Sequence, residues 1–285
     1  MIETIYRHHP ELRGESARVI AHGWANQVWI VGERLVFRFP RTAEGKQELR
    51  REQLLLPDLA RSLPVQVPQF LYQSPLDEEI TYVGYQQIPG TPLTPAHFQK
   101  LDRAKKLKLS VTLASFLTTL HTHRPQISLP TVGKESWEAF YQEIEQKAFS
   151  RLNRAERDWT KRSFESFLTD SRNFCYEPRL LHGDFSADHL LHQAGELSGV
   201  IDFGDVRLGD PAYDFVGLFA AYGAEFTKEV VKRYGLPQDE LFWQRVTGFY
   251  VQRLPFHAIL SGLDTGNEER VQIGLQQLRE GVDRR

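Results

Sequence analysis

Between His182 and Gly204 the chain sets two aspartates on either side of a short apolar hairpin. The string reads His182-Gly183-Asp184-Phe185-Ser186-Ala187-Asp188-His189, then Leu190-Leu191-His192, a turn at Ala194-Gly195, Leu197 to Ile201, and Asp202-Phe203-Gly204. A hairpin folds its ends back beside one another, so this spacing brings the Asp184 and Asp202 carboxylates to one place. One acid free to orient a hydroxyl and another free to grip a cation suit chemistry whose catalysis is positioning and charge neutralisation. The rest of the chain has to build a scaffold around that hairpin.

At 285 residues the chain is longer than one minimal core requires and accommodates two packed lobes. Hydrophobic residues at 41% and charged residues at 25% supply enough apolar surface for an ordinary globular core, which excludes a disordered chain. The net charge of -2, with no run of five like charges, leaves no basic footprint for nucleic acid and points to a small partner. Cys175 is the single cysteine, which rules out an intramolecular disulfide and CxxC metal spacings and suits a reducing compartment. The N-terminal MIETIYRHHPELRGESAR has no continuous apolar core of the kind a signal peptide needs, and the apolar stretch from Asp214 to Tyr222 is too short to span a bilayer. The expectation is a cytoplasmic, monomeric protein without a membrane partner.

Along the chain, Val28 to Val31, a turn at Gly32-Glu33-Arg34 and Leu35 to Phe39 read as a hairpin. Glu44 to Ala60 reads as an amphipathic helix that Pro57 bends or ends. Val65-Gln66-Val67 and Thr81 to Tyr85 read as two more strands around a polar turn at Asp77-Glu78-Glu79. Three prolines and a glycine between Ile88 and Pro95 mark a boundary, placed after residue 88. Beyond it, Leu107, Val111, Ala114, Leu117 and Leu120 recur as one buried helix face. Residues 136–170 and 225–280 read as helical, with a β island from Leu180 to Phe203 between them. The class is therefore α+β, with a small β-rich N-lobe (1–88) and a larger helical C-lobe (89–285), the layout of a protein-kinase-like bilobal fold.

In protein kinases a catalytic loop of form HRDxxxxN precedes a short hairpin and a DFG. Here HGDFSADHLL followed by IDFGDVRLGDPAYDF resembles the aminoglycoside-phosphotransferase family, particularly its 2''-phosphotransferase and macrolide-phosphotransferase branches. VFRFP resembles that family's third N-lobe strand, GYQQIPGTPL its hinge, and LDTGNEE a segment of the macrolide branch. The resemblance implies a small-molecule kinase that moves the γ-phosphate of ATP or GTP onto a hydroxyl of an aminoglycoside-like or macrolide-like acceptor, with Mg2+ as cofactor. It makes Asp184 the catalytic base, His182 a support of the loop and Asp202 the principal metal ligand. His189 falls where many relatives carry a metal-binding Asn, and Arg38 where a kinase fold places a phosphate-binding lysine paired with a helix glutamate, here Glu52, with Glu48 second. Gly23 stands in the loop that would cover the phosphates, a single glycine where protein kinases have three, and Tyr85, Gln87 and Ile88 would face the purine at the hinge.

The acceptor side reads two ways. Asp205, Glu225, Asp264, Glu268 and Glu269 could receive a polycation, whereas Tyr222, Trp243, Phe249, Tyr250 and Phe256 could line an apolar pocket; as individual residues most read better as solvated helix faces and core. Three rival readings remain at this level: a kinase of a sugar or amino alcohol, a catalytically silent nucleotide-binding protein, and a metal-dependent hydrolase built on His182, Asp184, Asp188, His189 and His192.

Overall fold

The β-branched and aromatic pieces near the N-terminus pair into one antiparallel sheet. In the computed structural model, which describes residues 1–20, 26–75 and 81–283 (for 283, the backbone), its strands are β1 (Ala17–Ile20), β2 (Asn26–Val31), β3 (Leu35–Pro40), β4 (Phe70–Gln73) and β5 (Val83–Gln86), in the order β1-β2-β3-β5-β4. The expected hairpin is present, with Val31 opposite Leu35 across a turn in which Gly32 and Glu33 take positive φ (60° and 54°). Alternation along β3 sends Phe37 and Phe39 to one face, where they meet Tyr82 and, from the N-terminal helix α1 (Ile2–His8), Ile5. The other face carries Val36 with Ile30 and Tyr85, and there Arg38 points toward the second lobe.

Helix α2 (Ala43–Leu59) starts where the Thr42 hydroxyl accepts from the Gly45 N–H at 3.1 Å. Leu49, Glu52, Leu55, Leu56 and Leu59 form its buried stripe. Pro57 lies inside the helix, which ends two residues later. Val65-Gln66-Val67 is not a strand. Pro64 and Pro68 bracket it and lack the N–H groups a ladder needs. Gln66 instead makes one isolated parallel bridge to Gly199, accepting from the Val200 N–H at 2.9 Å. The polar turn expected at Asp77-Glu78-Glu79 lies outside the described residues.

The second lobe is helical: α3 (Pro95–Gln99), α4 (Arg103–Thr122), α5 (Lys134–Glu143), α6 (Arg154–Thr169), α7 (Val216–Val231), α8 (Phe242–Gln244), α9 (Leu254–Thr265) and α10 (Glu268–Asp283). Of the expected face of helix α4, Ala114, Leu117 and Leu120 are buried, whereas Leu107 and Val111 are half exposed and Leu109, Leu113 and Phe116 take the buried side in their place. Both sets of residues have helical spacing, and contact with the β island selects the second at the N-terminal half. Helix α7 begins nine residues before the expected 225 and is broken at Gly223, where φ is 81°.

The β island comprises β6 (Thr91–Pro92), β7 (Arg179–Leu181), β8 (Leu190–Gln193), β9 (Glu196–Val200) and β10 (Arg207–Gly209). Strands β8 and β9 form the expected hairpin, β6 adds to it through Thr91 opposite His192, and β7 pairs with β10. The chain leaving the sheet therefore joins the hairpin between the two aspartates at once. Among the described residues no helix is long and apolar enough to cross a membrane.

Candidate active site

The hairpin does bring Asp184 and Asp202 together, and one imidazole lies between them. His189 Nδ1 is 2.9 Å from the Asp184 carbonyl oxygen and 3.5 Å from its Oδ2, while His189 Nε2 is 3.5 Å from Asp202 Oδ2. Donation from Nδ1–H to the carbonyl leaves the Nε2 lone pair facing Asp202. Asp202 takes φ 65°, a left-handed conformation a non-glycine residue holds only when its surroundings impose it. Those surroundings include Phe203, fully buried just after it, and Arg38, whose Nη2 donates to Asp202 Oδ1 at 3.2 Å. Burial opposes ionisation of Asp202, but the Arg38 guanidinium outweighs it and holds the carboxyl below its usual range.

His182 is fully buried and neutral. Its Nε2–H donates to the Ile201 carbonyl at 3.1 Å and its Nδ1 accepts from the Asp184 N–H at 3.3 Å, so both nitrogens are satisfied without a charge. Burial accordingly lowers its pKa. The loop is gripped from beneath by Asp214, whose Oδ2 accepts from the His182 N–H at 2.7 Å and Oδ1 from the Gly183 N–H at 3.0 Å. Gly183 has φ 83°, and a Cβ there would fall 2.2 Å from the Asp205 carbonyl oxygen, so only glycine fits. Asp214 is 1% exposed and anchors the loop; Asp210 caps the turn at Ala212 and binds Arg245 and Tyr250. Arg207 was missed altogether, since nothing in its sequence context signals that its Nη2 reaches the Gly183 carbonyl at 3.0 Å.

Arg38 and Glu52 meet as expected, with Nη1 2.8 Å from Oε2 and both side chains buried. Burial works against the Arg38 charge, and the two flanking carboxylates more than reverse it, raising its pKa further. Glu48, the second candidate, makes no ion pair with Arg38; burial, with Asp205 nearby, pushes its carboxyl up. At the hinge Tyr85 pairs with Val36 and is buried beside Arg38; burial pushes its phenol up to about 12, against the pull of the guanidinium. The Gln87 N–H is committed to the Arg34 carbonyl at 2.8 Å, whereas the Ile88 N–H makes no backbone hydrogen bond among the described residues. Gly23 lies outside the described residues.

On the acceptor side, Asp264 is paired with Lys147 at 2.8 Å and Glu268 with Arg151, which leaves neither acid unopposed. Phe249, Tyr250 and Phe256 are core, and the buried Tyr222 hydroxyl donates to the Leu93 carbonyl at 2.7 Å. Among the described residues no group of three or more His, Cys, Asp and Glu side chains stands together in a metal-holding arrangement, so the proposed zinc set of a hydrolase does not assemble.

Two lobes, a loop–hairpin–DFG site and an N-lobe arginine–glutamate pair define a kinase-like phosphotransferase. The family model for the phosphotransferase enzyme family matches residues 16–243, and the chain belongs to that family, whose members transfer phosphate to hydroxyl acceptors. Viomycin phosphotransferase of Streptomyces vinaceus is 24% identical over 216 residues, covering 71% of this chain and 72% of that protein. The GDP complex of wild-type aminoglycoside 2'-phosphotransferase-IIIa is 28% identical, with a TM-score of 0.90 over 99% of this chain and 97% of that one. A macrolide 2'-phosphotransferase from Brachybacterium faecium, 20% identical with a TM-score of 0.75 over 97% and 96% of the two chains, shares the fold.

Proposed function

We propose that the chain transfers the γ-phosphate of ATP or GTP to a hydroxyl of a small-molecule acceptor, with Asp184 as base. The observation that carries this reading is the convergence of Asp184, His189, Asp202 and the Arg38–Glu52 pair on one point between the lobes. Asp184 takes the proton of the acceptor hydroxyl, whose oxygen bonds to the γ-phosphorus as the bond to the β-phosphate oxygen breaks and the nucleoside diphosphate leaves. His182 holds the loop, Arg38 neutralises the non-transferred phosphates, and the Ile88 amide is the free hinge donor for the base. Residues 1–88 form the nucleotide lobe and 89–285 the catalytic and acceptor lobe.

Asp202 and His189 would hold a magnesium ion, which supplies neutralisation of phosphate charge when bound. Two protein ligands fit, because magnesium in kinases keeps water and phosphate oxygens in most of its positions. An imidazole is a softer donor than magnesium prefers. Activity should therefore rise when manganese replaces magnesium, and His189→Asn should stay active and lose that preference. Rates of both proteins with both metals check this; a mutant dead with every metal would show that His189 serves only to hold the Asp184 carbonyl.

Arg38→Ala should raise the nucleotide KM more than the acceptor KM, and Arg38→Lys should recover part of the loss, because an ammonium keeps the charge but not the two-pronged contact to Glu52 and Asp202. Unchanged nucleotide kinetics in the alanine variant would remove Arg38 from the phosphate site.

The function itself is tested by nucleotide consumption with ATP and with GTP against aminoglycosides, macrolides and hydroxylated metabolites. Acceptor-dependent consumption that disappears in Asp184→Asn is expected; consumption independent of every acceptor and of Asp184 would sink the reading. The metabolite arm has a specific observation behind it, since Asp264 and Glu268 are already neutralised by Lys147 and Arg151.

A further inference from the structure

Two imidazoles meet away from the active site, at the edge of the β island. His192 lies on β8 opposite Thr91 of β6, and His97 stands on the short helix α3 that follows β6. Their ring centroids are 5.1 Å apart at an interplanar angle of 57°. Phosphate transfer uses neither side chain.

The hydrogen bonding of the pair leaves ring nitrogens over. His97 is exposed, and its Nδ1 lies 3.3 Å from the Pro92 carbonyl oxygen. A carbonyl only accepts, so the proton sits on Nδ1 and the Nε2 lone pair is left free. The two nitrogens of His192 are both buried, and neither has a hydrogen-bond partner. The rings therefore do not bond each other. Burial, and the neighbouring His97, lower the His192 pKa, which keeps its ring in the neutral form that can ligate. Buried polar atoms left this way are costly unless a further group arrives to meet them.

The geometry suits a metal ion. A histidine that gives one N–H to a backbone carbonyl and keeps the other nitrogen free has the arrangement of a metal ligand. Two imidazoles bound to one tetrahedral ion at about 2.0–2.1 Å place their ring centroids about 5 Å apart. This pair already stands at that separation. Among the described residues no third histidine, cysteine or carboxylate completes a set with them, so water would fill the other positions. Two nitrogen donors select zinc, copper or nickel over magnesium.

We propose that His97 and His192 bind one such divalent transition-metal ion, separate from the catalytic metal. The ion ties α3 to β8, at the opposite end of the β8–β9 hairpin from Asp202, and so clamps the segment that follows the hinge to the hairpin that carries the active site.

Zinc titration against a chelating dye reads the site without nucleotide or acceptor, so its outcome is independent of the phosphotransferase reading. The His189→Asn protein, which lacks the active-site imidazole, serves as the background. Adding His97→Ala should remove one zinc equivalent or weaken it about tenfold or more, since even the outer-shell partner of a ligand is worth about 10–100-fold. Zinc bound elsewhere, for instance at His8 and His9, is common to both proteins and cancels. Zinc should also raise the thermal midpoint of the background protein and not that of the double variant, and excess magnesium should not displace it. His97 is exposed, so its replacement does not endanger folding, and His97→Ala in the wild-type chain should leave magnesium-dependent transfer unchanged. His192→Phe keeps a ring and removes both nitrogens, and should repeat the loss; if it does not fold, His97→Ala decides alone. Equal zinc stoichiometry and affinity with and without His97, displacement by magnesium, or full zinc binding in a folded His192→Phe would overturn the proposal.

Discussion

Asp184→Asn should lower kcat by about 10²–10⁴-fold, the range contributed by a positioned general base, and leave nucleotide affinity unchanged. The loop around Asp184 is held through its main chain: its N–H donates to His182 and its carbonyl accepts from His189. Among the described residues the carboxylate's only charged neighbour is His189, 3.5 Å away, and it is half exposed, so the amide can replace it without moving the loop. Asp202→Asn should behave differently. Asp202 accepts from Arg38 and faces His189, and replacing its charge by a neutral amide weakens the ligand and removes the counter-charge together. Nucleotide binding in the presence of magnesium and turnover should fall in parallel. Equilibrium nucleotide titrations beside steady-state rates separate the two variants, and equal affinities in both and in wild type would refute this division of roles.

Much of this site is legible in the chain because its signals are local. Asp184 and Asp202 flank a hairpin whose period-two pattern and Ala194-Gly195 turn lie between them, so the pairing of β8 with β9 fixes where the acids meet. Arg38 and Glu52 were found through the resemblance of VFRFP to the family's third strand, which implies a helix glutamate as partner, and the contact falls to Glu52 and not to Glu48. Features decided by distant contacts were not legible. Val65 to Val67 has the composition of a strand, but its partner is Gly199 in the other lobe, and a single bridge is all that two prolines permit. On α4 the buried Ala114, Leu117 and Leu120 were legible, but Leu107 and Val111 were misplaced, because only the island packed against the helix selects Leu109, Leu113 and Phe116 instead. Gln87 looked like a donor to the base, yet its N–H is consumed by a carbonyl on the neighbouring strand.

The largest effect on stability should come from Asp214, which is nowhere near the transferred phosphate. Its buried carboxylate accepts the N–H groups of His182 and Gly183, and His121 Nε2 lies 3.1 Å from it, with His121 Nδ1 in turn accepting from the Tyr234 hydroxyl at 2.6 Å. Removing it leaves two amides and an imidazole buried without an acceptor, so Asp214→Ala should destabilise the fold by about 3–5 kcal/mol. Asp214→Asn keeps the shape but turns an NH2 group toward at least one of those donors, and should fall between the two. Burial works against ionisation of Asp214, but the His121 contact and the loop amides prevail and lower its pKa. A carboxyl whose folded pKa is depressed contributes stability that is fully present above its unfolded value of about 3.9 and disappears as pH falls through the folded one. The gap in denaturant midpoint between wild type and Asp214→Asn should thus be widest near neutral pH and close progressively below about pH 4. Because the loop amides hold Asp184 in place, Asp214→Asn should also lose kcat at temperatures where it remains folded. A gap that did not change with pH would mean that Asp214 is protonated in the folded protein, and the loop would then be held by packing of Phe185 and Phe203 against His182.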